Sequence, residues 1–159
     1  MLIWLPVVLS AGLFSPETLF VRRMADEVRR AEIAALSMAL HHRTAYAAAF
    51  GNGFAPGPLD ATAPAPFRRT RNWKSEIVVA GGDVILLTWS EGSDAIRPPP
   101  GRMVEIVRRL ATGAKWSGQT FVAPFVHGDD GKAYVGAFSV GTPVSEIPPG
   151  TRVLATLVP

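Results

Sequence analysis

The chain of 159 residues reads as an α+β protein, a long amino-terminal helix packed on a small, mainly antiparallel β-sheet with one additional short helix. Three observations predict this class. Apolar residues recur at steps of three and four from Val21 to Met38, which is the period of one helix face. Beyond residue 72 the apolar residues gather instead into short runs bounded by glycine and proline, as strands do. Between the two regimes lies a stretch, 51–71, dominated by turn-forming residues. The length suits one domain around one core. Four consecutive parts are therefore expected: an apolar segment 1–15, an amphipathic helix 16–50, a Pro/Gly-rich loop 51–71, and a globular part 72–159 of the same single domain.

The first charge in the chain is Glu17. Sixteen helical residues before it would rise about 24 Å, short of a hydrocarbon core of about 30 Å. The segment 1–15 is read as a membrane anchor or an export signal, with a buried helix of a soluble core as the alternative. Ser10-Ala11-Gly12 offers the small residues of a cleavage site, although no Lys or Arg precedes the apolar run. Trp4 suits a membrane interface, whereas Arg22 and Arg23 follow the segment and favour a cytoplasmic domain. A long helix on a sheet is a pilin-like layout, and Gly12 with Glu17 five positions on imitates a type IV prepilin processing site. The leader is not basic, however, and charges follow Glu17 within five positions, where a pilin needs a long apolar helix.

Ser15-Pro16-Glu17 is a strong helix start, combining a capping hydroxyl, a proline in the first turn and an acid near the positive end of the dipole. Val21, Met24, Val28, Ala31, Ala35 and Met38 form one apolar stripe. Arg22–Asp26, Arg23–Glu27 and Asp26–Arg30 are spaced as i,i+4 pairs on the solvated side. Gly51-Asn52-Gly53 ends the helix. Lys74–Ala80 and Asp83–Trp89 read as a hairpin around Gly81-Gly82. Pro98-Pro99-Pro100-Gly101 introduces a short helix, Arg102 to Thr112, with Met103, Val107 and Leu110 inward, Val104 and Ile106 flanking, and Gly113 as its stop. Gln119–Val126 and Ala133–Phe138 are further strands on either side of a turn at 128–132. After the turn Pro148-Pro149-Gly150, Arg152–Val158 is a last strand, expected inside the sheet.

Composition and motifs exclude more chemistry than they offer. A hydrophobic content of 48% is incompatible with wholesale disorder. The chain has no cysteine, so disulfides, thiolate metal sites and thiol nucleophiles are impossible. The net charge of +3 is dispersed over arginine clusters, two of which interleave with acids, so nucleic acid is not expected as a partner. Arg68-Arg69-Thr70-Arg71-Asn72-Trp73-Lys74 is read as a solvated loop with Trp73 as an anchor, rather than as a phosphate or headgroup contact. His41 and His42 are adjacent, point about 100° apart on a helix and cannot share a metal face. They and the remote His127 are read as surface residues. Asp129-Asp130-Gly131-Lys132 lacks the alternating ligands of a calcium loop and reads as a hairpin turn. Trp73, Trp89 and Trp116 are read as packing residues. No phosphate-loop, nucleophile-elbow or zinc-protease motif is present. No catalytic, cofactor-binding or metal residue is assigned, and no cofactor is expected.

The order of features beyond the helix carries a family likeness. Arg71-Asn72-Trp73 enters the Gly-Gly hairpin Ile77-Val78-Val79-Ala80-Gly81-Gly82-Asp83-Val84, Arg102–Leu110 is a helix ending in glycine, and the tail is Ile147-Pro148-Pro149-Gly150-Thr151-Arg152-Val153. With the apolar start and long helix, this order resembles the small PilM-type proteins of plasmid thin-pilus (type IVb) operons, distinct from the actin-like protein of the same name. The likeness covers most of the chain in layout, through short motifs of which the tail turn is the most specific. The Pro-rich 56–66 loop and the arginine-rich helix have no counterpart in it. The resemblance implies a non-enzymatic role in type IV pilus biogenesis at the cell envelope, in conjugative settings, through contacts with other pilus-assembly proteins. The expected location is inner-membrane associated or periplasmic, with the membrane met through residues 1–15. Two alternatives stand beside it: a pilin-like minor subunit processed at Gly12, and a small soluble enzyme or ligand-binding domain.

Overall fold

A computed structural model describes residues 16–61, 72–90, 105, 106, 109, 119–141 and 147–158. Helix α1 spans Pro16–Gly51, one residue past the expected end. Its stop follows from Gly53, which adopts φ 64° at no steric cost. The Gly53 amide then donates to the Phe50 carbonyl and the Phe54 amide to the Ala49 carbonyl, at 3.3 and 2.9 Å. This pair of bonds closes the last turn as a Schellman cap. Phe54 follows at φ 55°, unusual for an aromatic residue, and is held there by edge contacts with Tyr46 and Phe50.

Among the described residues seven strands follow: β1 Gly57–Leu59, β2 Trp73–Ala80, β3 Asp83–Ser90, β4 Gln119–His127, β5 Ala133–Val135, β6 Phe138–Gly141 and β7 Arg152–Val158. All pairings are antiparallel, in the order β1-β2-β3-β7-β4-β5-β6. The β2–β3 hairpin turns on Gly81 and Gly82, both at positive φ, as a two-residue turn matched to strand twist requires. The last strand, β7, lies between β3 and β4, as expected for its apolar run.

β7 is buried on both faces, and its alternation separates two cores. Val153 and Ala155 join Ile85, Leu87, Trp89 and Phe125 on the face away from the helix. Residues of β2, β3, β7, β4, β5 and β6 all contribute to that single cluster, so the sheet curls around it. β6 returns to lie against β2, with Gly141 beside Ala80. On the other face Leu154 packs on Ala35, Met38 and Ala39, while Ile77 and Leu86 pack on Ala45, Tyr46 and Ala49.

The expected fold class is therefore corrected. The protein is dominated by a seven-stranded antiparallel sheet, with one long helix on its outer face, and is not a helix on a small pilin-like sheet. Two local features hid the extra strands. β1 lies within the expected 51–71 loop and contains Pro58, which is tolerated because β1 is an edge strand. The expected single strand 133–138 is divided by a turn at Gly136 (φ 62°) and irregular pairing at Ala133/Tyr134, giving β5 and β6. Pro124 sits where the pairing of β4 passes from β7 to β5, another position that spares a ladder bond. Of the expected short helix 102–112, only Glu105, Ile106 and Arg109 are described; all three are helical, and Arg109 pairs with Glu105. The rest of that helix, the segment 1–15, Arg68, Arg69, Arg71 and Trp116 lie outside the described residues.

Candidate functional site

The helix divides into two halves with different surroundings. From Ala34 onward its inward face is covered by the sheet. Before that point every residue from Leu19 through Arg30 is exposed, including Phe20, Val21, Met24 and Val28. Phe20 is 63% exposed and Val28 57%. The apolar stripe read from the sequence is thus covered along only part of its length. Val21, Met24 and Val28 stand on the same face as Ala35 and Met38, but only the latter two meet the sheet. The first half of α1 thus projects past the sheet with its apolar face presented to solvent. Soluble surfaces seldom expose contiguous large apolar side chains unless a partner covers them.

The second half is fastened by a buried polar network centred on His42. The imidazole Nδ1 lies 2.7 Å from Thr88 Oγ1 on β3, and Nε2 lies 2.8 Å from Thr156 Oγ1 on β7. Thr88 Oγ1 is 2.7 Å from Ser75 Oγ on β2, and Thr156 Oγ1 is 2.8 Å from Thr120 Oγ1 on β4. The two outer contacts are directly opposed pairs in the ladder, Ser75↔Thr88 and Thr120↔Thr156. A row of four hydroxyls therefore crosses four neighbouring strands, and His42 links its two halves. A neutral imidazole has one donor and one acceptor nitrogen, so one of the two threonine hydroxyls accepts from the ring and the other donates to it. If Thr156 donates to Nε2, its single proton is used and it accepts from Thr120; in the other tautomer Thr88 donates to Nδ1 and accepts from Ser75.

Burial keeps His42 in this neutral form. Desolvation, aided by the adjacent His41, pushes its pKa down from 6.5 to about 3. His42, Thr88 and Thr156 are sealed from solvent, and each ring nitrogen is engaged by a threonine hydroxyl. The physical effect of this arrangement is to fix where α1 sits on the sheet, because only one helix position lets both nitrogens reach hydroxyls. Trp73 Nε1–H adds a second tether by donating to Ser37 Oγ at 2.9 Å.

The expectation that His41 and His42 lie at the surface is overturned, since both are buried. The signal was present in the spacing: His42 continues the steps Ala35, Met38, His42, Ala45 along the covered face. His127 is exposed, with its ring edge-on to Phe125. No group of metal ligands occurs among the described residues. Asp130 sits in the expected turn, where its carboxylate accepts from the Tyr134 hydroxyl (2.6 Å) and from the Lys132 amide (3.1 Å). The Tyr134 bond, the larger effect, and the Lys132 amide hold the Asp130 pKa below its usual value, and the Asp130 bond raises that of Tyr134. Trp89 is buried in the inner core, as expected of a packing residue. Among the described residues no helix is long and apolar enough to cross a membrane.

Comparison with known proteins finds no matching family model, no matching curated protein and no matching solved structure.

Proposed function

We infer that the protein is a non-enzymatic interaction component of type IV (thin) pilus biogenesis at the cell envelope, and that the projecting half of α1 is its docking element. One observation carries the interaction role: large apolar side chains stand exposed along a helix face whose continuation is covered by the sheet. The pilus assignment rests on the resemblance of the Gly-Gly hairpin and the Ile147–Val153 tail to the thin-pilus PilM-type proteins. The His42 network supports the same reading, because a projecting helix makes a defined contact only if its base is held rigidly.

Deleting the gene and scoring pilus assembly tests the role. Complementation with the native chain is expected to restore pili, and complementation with Val28→Asp is not. Normal pili in the deletion strain would refute the assignment. Intact mass and membrane fractionation test the placement. Uncleaved chain released only by detergent is the expected result, and full-length chain in the soluble cytosolic fraction would refute it. Cleavage after Gly12 would identify a subunit of the fibre instead.

A further inference from the structure

Val21, Met24, Val28 and Ala31 follow one another at alternating steps of three and four, and Ala35 and Met38 continue the same phase onto the sheet. This is the a/d pattern of a heptad seam. Below Ala34 the sheet covers the seam, and above it the seam is bare apart from a half-buried Ala31. An element that covers a narrow, straight seam of this kind is another helix. We propose that residues 19–33 form one strand of a short two-stranded coiled coil, whose second strand is a helix of a different protein with basic residues bordering its own seam. The proposal rests on the interaction role inferred above and specifies its partner.

Three observations select this occupant. A second copy of the chain running parallel would meet the seam with the face that, from Ala35 onward, carries its own sheet, so the two sheets would collide. A second copy running antiparallel avoids the collision and aligns Val21 with Ala31 and Met24 with Val28. It also sets Glu27, which borders the seam, against its own counterpart, an unfavourable like-charge contact. An anionic lipid surface is not favoured either. Residues 17–33 hold four arginines and four acids, so no net positive charge draws this helix to a membrane. A foreign helix with Lys or Arg opposite Glu27 satisfies every constraint. At 1.5 Å per residue the overlap from Leu19 to Ile33 is about 21 Å, or roughly two heptads, before the sheet stops the incoming helix.

Two labelled synthetic peptides, each of three heptads with a leucine seam, test the proposal against the full chain by fluorescence anisotropy. One carries lysine and the other glutamate at the seam-bordering positions. The lysine peptide is expected to bind at least about fivefold more tightly. Glu27→Lys is expected to remove that preference, and Val28→Asp to weaken the lysine peptide more than about thirtyfold. Equal affinity for the two peptides overturns the proposal, as does sedimentation of the native chain as a dimer that Val28→Asp dissociates. Normal pili in a deletion strain would remove the pilus role and leave the peptide result standing. Failure of the peptides with pili lost on deletion would remove the coiled coil alone.

Discussion

Replacing His42 by glutamine probes the buried network through its pH dependence. In the unfolded chain the imidazole takes up a proton near its ordinary pKa of 6.5, whereas in the fold it resists protonation down to about 3. Across that window the unfolded state binds more protons than the folded state, so stability falls as the pH falls. The contribution is flat above about pH 6.5, declines below it, and levels off again near pH 3. Within the window each pH unit removes about 1.4 kcal/mol, so the whole window is worth roughly 5 kcal/mol. That is comparable with the entire stability of a small domain, about 5–15 kcal/mol. Glutamine retains an amide donor and a carbonyl acceptor but does not titrate. Urea unfolding of both proteins at about pH 7, 6, 5 and 4 provides the measurement. The carboxylates titrate alike in the two proteins and cancel in the difference. The native chain is expected to lose stability faster than His42→Gln by about 1 kcal/mol per pH unit between about pH 6 and 4. Parallel stability curves would refute the reasoning, because they would mean that His42 accepts a proton in the fold as readily as in the unfolded chain.

Leu86→Ala opens a cavity under α1 at a fully buried position and is expected to cost about 3–4 kcal/mol in chemical denaturation. Gly82→Val forces a β-branched residue to φ 96° in the β2–β3 turn; a loss of more than about 1 kcal/mol is expected, and an unchanged midpoint would argue against this turn geometry. Asp130→Asn weakens the hydrogen bond that chiefly raises the Tyr134 pKa and removes the carboxylate charge beside it, so ultraviolet titration of the tyrosines should show Tyr134 ionising at lower pH than in the native chain.

Local chemistry made several elements legible. The start of α1 at Pro16 agrees with the Ser15-Pro16-Glu17 signal of the sequence, and its end follows from Gly51-Asn52-Gly53, since a positive-φ glycine acts within one turn of the residue itself. The β2–β3 hairpin was readable because paired glycines between two apolar runs permit few other geometries. β1 and the division of β5 from β6 were not readable. Gly57-Pro58-Leu59 becomes a strand only because the edge of β2 offers it a ladder, and proline is a breaker everywhere except at such an edge.

The histidines show the same limit. The spacing of His42 placed it on the covered face, but its type argued for the surface, because a histidine is buried only where partners satisfy both nitrogens. Those partners, Thr88 and Thr156, lie on β3 and β7, 46 and 114 residues along the chain. No local pattern connects them.

From its sequence alone the chain was bound to contain one long capped helix with a continuous heptad stripe, a glycine hairpin and a buried last strand, because each depends on neighbours a few residues away. The tertiary structure decided that six strands wrap a common core, and that four hydroxyls and one imidazole form a single chain of hydrogen bonds. It also decided that the stripe on α1 is covered below Ala34 and bare above it. The stripe is uniform in sequence; which half has a partner depends on where the sheet ends, and that is set by long-range strand pairing.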